Sequence, residues 1–243
     1  MHSKKFKCAI IICAITFVTV LFLFSPFFYL DEIIISGNST VAQEEIRDRL
    51  GADRTTNILF FNQNAARRRI IENLYVSNVI FTRSLPGRLY VEVLERRLAA
   101  YVEQSPGTFL FLDDQGRVLE VRSSITQPLP IIEGLNFTHF ALGEVLEVPD
   151  LAAFNIMTHY AHLVYRHGLV CRVTHINVSD TSNTRILFSY VEFNVGCLQD
   201  AEAKVRIIAG MLEEIPEVET IRGFVDLRDI SGERGEFFFT ILT

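Results

Sequence analysis

Ile33-Ile34-Ile35-Ser36-Gly37-Asn38 is a β-branched run halted by a Gly-Asn turn, and only Asp31 and Glu32 separate it from a long apolar segment. A strand that ends so abruptly hands the chain to a new element. Thr40 and Gln43 stand at capping-box spacing, Ala42, Ile46 and Leu50 follow at helical spacing, and Gly51 closes that helix. A second helix is predicted around Ala66, Ile70 and Leu74. Val76 to Arg83 then reads as a strand and Leu85-Pro86-Gly87 as a hairpin turn, after which Leu89, Val91 and Val93 alternate with Tyr90, Glu92 and Leu94. The predicted order is strand, helix, helix, strand, strand.

Upstream of this block, Cys8 to Leu30 contains no charged residue and is rich in Ile, Phe, Leu and Val. At about 1.5 Å per residue such a helix covers the ~30 Å hydrocarbon core, so residues 8–30 are expected to form a transmembrane anchor, with Ile10, Ile12, Phe17, Leu21 and Phe24 facing lipid. A cleaved signal peptide is the alternative, but its apolar region is shorter and ends in small residues, features absent here. Lys4, Lys5 and Lys7 precede the segment and Asp31 and Glu32 follow it, which keeps residues 1–7 in the cytoplasm and sends the rest outside.

Downstream, the pattern changes near the Glu95-Arg96-Arg97 run, giving expected domains of 31–95 and 96–243. Phe109 to Leu112 and Val118 to Val121 read as strands joined by the turn Asp113-Asp114-Gln115-Gly116. Two helices are predicted, Asp150 to His167 before Gly168, and Gln199 to Ile215 with Ala201, Val205, Ile208, Leu212 and Ile215 on one stripe. The fold class is therefore α+β: an anchor, a small β-α-α-β-β domain, and a mixed β domain with two helices. Its final run, Phe237-Phe238-Phe239-Thr240-Ile241-Leu242, would be an aggregation hazard as an uncovered edge strand.

The chain has 243 residues and a net charge of −6, the wrong sign for nucleic-acid binding. Arg67, Arg68 and Arg69 form the densest basic run, but successive helical residues diverge by about 100°, so a solvated helix surface is expected there. There is no nucleophile elbow, phosphate loop or H-E-x-x-H motif, and His159 with His162 lacks a third ligand, so neither enzyme nor cofactor nor metal site is expected. Asp113 and Asp114 serve a turn before an acid pair. Cys171 and Cys197 fall in predicted strands, either as a disulfide or as buried thiols.

Several motifs occur in chain order: Ser36-Gly37-Asn38, Leu85-Pro86-Gly87 with Val91-Glu92-Val93 and Glu95-Arg96, Leu112-Asp113-Asp114-Gln115-Gly116-Arg117-Val118, Leu129-Pro130-Ile131-Ile132-Glu133-Gly134, Val195-Gly196, Lys204, and Val225-Asp226-Leu227-Arg228. Together they resemble the FtsQ/DivIB family of bacterial cell-division proteins. The resemblance implies a POTRA domain, then a β domain. It also implies a non-enzymatic scaffold at the septum of the cytoplasmic (inner) membrane, with partners of the FtsB/DivIC and FtsL type, and a link to the septal peptidoglycan synthase complex. A POTRA-containing export or outer-membrane assembly component is the alternative.

In that family a partner strand is added near the carboxy terminus, so the resemblance places partner-binding residues at Arg228, Asp229, Ser231, Phe237, Phe239 and Ile241. Arg228 matches a basic residue that meets an acidic partner side chain, and Phe237 an aromatic anchor. Asp229 stands where an aromatic residue is usual, and Glu236 where Gly is familiar. An ion pair within its own domain is the other reading of Arg228.

Overall fold

In the computed structural model, which describes residues 2–214, 222–230 and 239–241, the chain begins with α1 (His2–Leu23). Its expected outer limit is corrected: the helix stops at Leu23, not Leu30. Pro26 explains the stop, since it has no amide to donate and its ring clashes with the preceding turn. It opens a 3-10 turn, Pro26–Phe28, where the Ser25 hydroxyl accepts from the Phe27 amide. Phe28 and Leu30 are buried in the core of the domain that follows. Ile10, Ile12, Phe17 and Leu21 are exposed on α1, whereas Phe24 lies past its end and stacks on Phe60 with ring centroids 4.7 Å apart. Among the described residues, no helix is long and apolar enough to cross a membrane.

Two units divide at Arg96/Arg97. The first contains β1 (Glu32–Ser36), α2 (Gln43–Leu50), α3 (Gln63–Ile71), β2 (Val76–Ser84) and β3 (Arg88–Glu95). β3 is central, parallel to β1 and antiparallel to β2. Leu89, Val91 and Val93 point inward from β3 and meet Ile46 and Leu50 of α2 with Ala66 and Ile70 of α3. Leu74 lies beyond α3, because Asn73 turns the chain: its amide bonds Ile70 O and its side-chain oxygen accepts from Tyr75 N.

The capping box does not form. Ala42 is the N-cap of α2 and makes no side-chain cap bond. Instead the Glu95 carboxylate, at the end of β3, accepts from the amides of Ser39, Thr40 and Val41 at 2.8–3.1 Å and from the Ser39 hydroxyl at 2.7 Å. Partial burial raises the Glu95 pKa, but these bonds outweigh it and hold the group at about 2, against an ordinary 4.5. The arginine run is also more engaged than a solvated face: Arg69 donates to the Arg49 and Leu50 carbonyls at the end of α2, and Arg67 to Val79 O.

The second unit has β4 (Ala100–Ser105), β5 (Thr108–Leu112), β6 (Val118–Arg122), β7 (Ile131–Glu133), α4 (Leu151–Arg166), β8 (Val173–Asn177), β9 (Arg185–Phe188), β10 (Val191–Asn194), α5 (Ala201–Glu214), β11 (Gly223–Asp226) and β12 (Phe239–Ile241). They form a nine-stranded sheet in the order β12-β11-β10-β9-β8-β7-β4-β5-β6. α4 starts where Asp150 accepts from the amides of Ala152 and Ala153. Its Ile156, Met157 and Tyr160 join Val205, Ile208 and Leu212 of α5 in one core with the strands. Cys171 precedes β8 and Cys197 follows β10, both exposed and unbridged, so the expectation of strand thiols is corrected.

Candidate partner interface

β11 and the two residues that follow it carry Val225-Asp226-Leu227-Arg228, and strand-like alternation explains the motif. Val225 and Leu227 are fully buried, while Asp226 and Arg228 turn to the other side. Arg228 donates to the Asp226 carboxylate from Nε at 3.0 Å and Nη2 at 2.6 Å, and from Nη1 to Asn183 Oδ1 at 2.9 Å. The guanidinium beside Asp226 holds its carboxyl below the usual carboxylate range. Asn183 in turn donates to Asp180, and Leu227 N donates to Asn194 O of β10.

Gly196 is fitted against this cluster. Its φ of +60° suits glycine, and a Cβ there would come within 2.9 Å of Arg228 Cγ. From below, Lys204 of α5 is almost fully buried and donates to Val195 O at 2.8 Å and Cys197 O at 3.5 Å. Burial lowers its pKa, partly opposed by the nearby Asp200 and Asp226 charges. Val195-Gly196, Lys204 and the β11 motif, separate in sequence, are thus one assembly that fixes the turn after β10 to the end of β11. Tyr160 completes it, donating to Cys197 O at 3.0 Å.

Among the described residues β12 pairs with β11 only, antiparallel, with Val225 opposite Phe239 and Gly223 opposite Ile241. It is the last strand of the sheet, as β6 is the first at the far edge. Of the residues singled out from sequence, Arg228 and Asp229 are exposed at the end of β11, and Phe239 and Ile241 are positions of β12. Ser231, Phe237 and Glu236 lie outside the described residues. Asp180 and Asn183 escaped the sequence reading, since turn composition was their only signal.

The chemistry available is that of a strand edge. His162 Nδ1 sits 2.9 Å from Asp114, and His167 Nε2 3.1 Å from Glu202, each a surface pair at α4. Among the described residues no group of three metal-ligating side chains converges.

Residues 28–96 match the model of the "POTRA domain, FtsQ-type". The chain is 25% identical over 203 residues to the cell division protein DivIB of Clostridium botulinum (strain Hall), covering 83% of this chain and 79% of that protein. DivIB of Clostridium tetani is 22% identical over 204 residues, 83% of this chain and 77% of its own. The cell division protein FtsQ of Bradyrhizobium diazoefficiens is 27% identical over 110 residues, 44% of this chain and 32% of its own.

Proposed function

We propose, from the premise that this chain is a relative of the FtsQ/DivIB proteins and carries their POTRA domain, that it acts in bacterial cell division as a non-enzymatic, membrane-anchored scaffold. α1 is the anchor. The support lies in the charge-free segment from Cys8 onward and in side chains of α1 that are apolar and exposed around its circumference. The preceding lysines keep the amino terminus in the cytoplasm and place both folded units outside, at the division septum.

The observation that carries the scaffold reading is β12, the end strand of the large sheet, which among the described residues is paired on one side alone. An extended segment of an FtsB/DivIC-like partner would add to it, with an FtsL-like chain alongside. Main-chain hydrogen bonds would supply affinity and alternate side chains specificity. Phe239 and Ile241 would supply contacts on one face of that strand, Phe237 and Ser231 further contacts, and Arg228 and Asp229 charge at its margin. Because Arg228 is already held by Asp226 and Asn183, a partner carboxylate would join a preformed cluster rather than create a new one. Through such partners the protein would be coupled to the septal peptidoglycan synthase complex. Similarity to cell division proteins over 83% of the chain favours this reading over an export role.

A photo-crosslinking residue at Thr240, compared with one at Glu120 on the opposite edge strand, tests the assignment in living cells. Capture of an FtsB/DivIC-like protein from position 240 and not from 120 is expected. Equal capture from both, or capture from 120 alone, would remove β12 as the binding edge.

A further inference from the structure

The first unit is built so that three separate pieces of chain meet where α1 ends. Asn57 Nδ2 donates to Leu23 O at 2.8 Å, closing the helix terminus with a side chain from the α2–α3 connection. Leu30 N donates to Thr56 O at 2.9 Å and Ile58 N to Phe28 O at 2.8 Å, binding that connection along the segment leaving the helix. The amides of Asp31 and Glu32 donate to Gly87 O at 2.8 and 3.3 Å, which brings the tip of the β2–β3 hairpin to the same place. The approach is close: a Cβ on Gly87 would lie 2.5 Å from Tyr29 O.

This end carries large apolar side chains where loop tips ordinarily carry polar ones. Phe24, Phe27, Phe60 and Leu85 are between 55% and 60% exposed, more than Ile80, Tyr90 and Leu94, the exposed apolar residues of the sheet. They are not scattered. Phe24 stacks on Phe60, Phe27 stacks on Phe22 in the last turn of α1, and Phe27 and Leu85 line one hollow with Pro86 and Arg54. The apolar surface of the helix therefore continues without a break onto the folded unit.

We infer that this end of the first unit is itself seated in the bilayer interface, with Phe27, Phe60 and Leu85 entering the boundary between headgroups and acyl chains; the inference rests on α1 being the anchor. Since Phe22 and Leu23 are tied to the unit by ring contacts and a hydrogen bond, a helix spanning the bilayer would hold these tips at that depth. Rings and aliphatic tips at the interface are stabilised there because apolar atoms leave water while the flanking polar chain stays hydrated. Arg54 and Arg88 flank the patch together with Asp31, Glu32 and Asp53, and Arg88 pairs with Glu32 at 3.1 Å. With both signs present, the seat should not select anionic lipids. It would fix the orientation of the domain on the membrane, which a single flexible tether would not.

The test uses the full chain with its four native cysteines replaced and single cysteines introduced by Phe17→Cys, Phe60→Cys, Leu85→Cys or Glu72→Cys. Each carries an environment-sensitive fluorophore and is reconstituted into phosphatidylcholine vesicles whose acyl chains are brominated. Emission should be lost most at position 17, substantially at 60 and 85, and not at 72, which adjoins the far end of the sheet. Adding salt should change none of these. A probe at exposed Arg54 supplies the same comparison should either apolar replacement disturb the fold. If position 17 is quenched while 54, 60 and 85 behave like 72, the interfacial seat is wrong and the anchor stands. An unquenched position 17 would remove the anchor, and the seat with it.

Discussion

Glu95 ties the start of α2 to the end of β3 through a single carboxylate, and its energetics have a definite sign. The folded-state pKa of about 2 lies below the ordinary 4.5, so its stabilisation is complete above pH 4.5 and is lost as pH falls toward 2. After discounting for solvent access, Glu95→Gln should cost about 1–2 kcal/mol at pH 7. The gap between variant and wild type in urea unfolding should narrow at pH 3. An unchanged gap would mean that the carboxylate's charge is not what holds the amides. At Gly196, alanine would meet Arg228 and adopt an unfavourable left-handed backbone, with an expected loss of roughly 1–3 kcal/mol by thermal or urea unfolding.

Elements are held by their ends in this molecule as much as by their faces. α4 draws its first turn onto Asp150, and Asp150→Ala should lower stability by about 1 kcal/mol while leaving helix content of the folded protein unchanged by circular dichroism. Asp226, the last residue of β11, pairs with Arg228 just beyond it, so Arg228→Asp places two carboxylates together and should lower the melting temperature of the second unit. Exchanging the charges, Asp226→Arg with Arg228→Asp, should recover most of that loss. Binding at β12 that stays weak in the exchanged protein would assign Arg228 a contact with the partner as well. Full recovery of binding would confine it to its own domain.

Two units with separate cores, each closed by its own sheet, are expected to unfold as separate cooperative steps. Calorimetry of the region beyond α1 should resolve two transitions. Glu95→Gln should shift one and Gly196→Ala the other, and limited proteolysis should cut near Glu95-Arg96-Arg97. A single transition displaced equally by both variants would show one cooperative body instead.

Local chemistry was enough to specify much of this protein. The alternation of Leu89, Val91 and Val93, the apolar stripe of Val205, Ile208 and Leu212, and the turn at Asp113 to Gly116 are short-range patterns, because a strand repeats every two residues and a helix every 3.6. The charge-free stretch after Lys7 was equally plain, but where its helix ends was not. Leu23 became the limit because Pro26 cannot continue the helix and because Phe28 and Leu30 find a core to enter, and a core is assembled from residues distant in the chain. The same reason hid the cap of α2: Thr40 and Gln43 had the right spacing, yet Glu95, more than fifty residues away, reached the amides first. At the candidate interface, sequence supplied Arg228 by resemblance alone. Asp226, two residues away, is within reach of any local window, but only folding brought Asn183, Gly196 and Lys204 to the same place, since hydrogen bonds across strands and to a buried helix depend on register and packing that no such window contains.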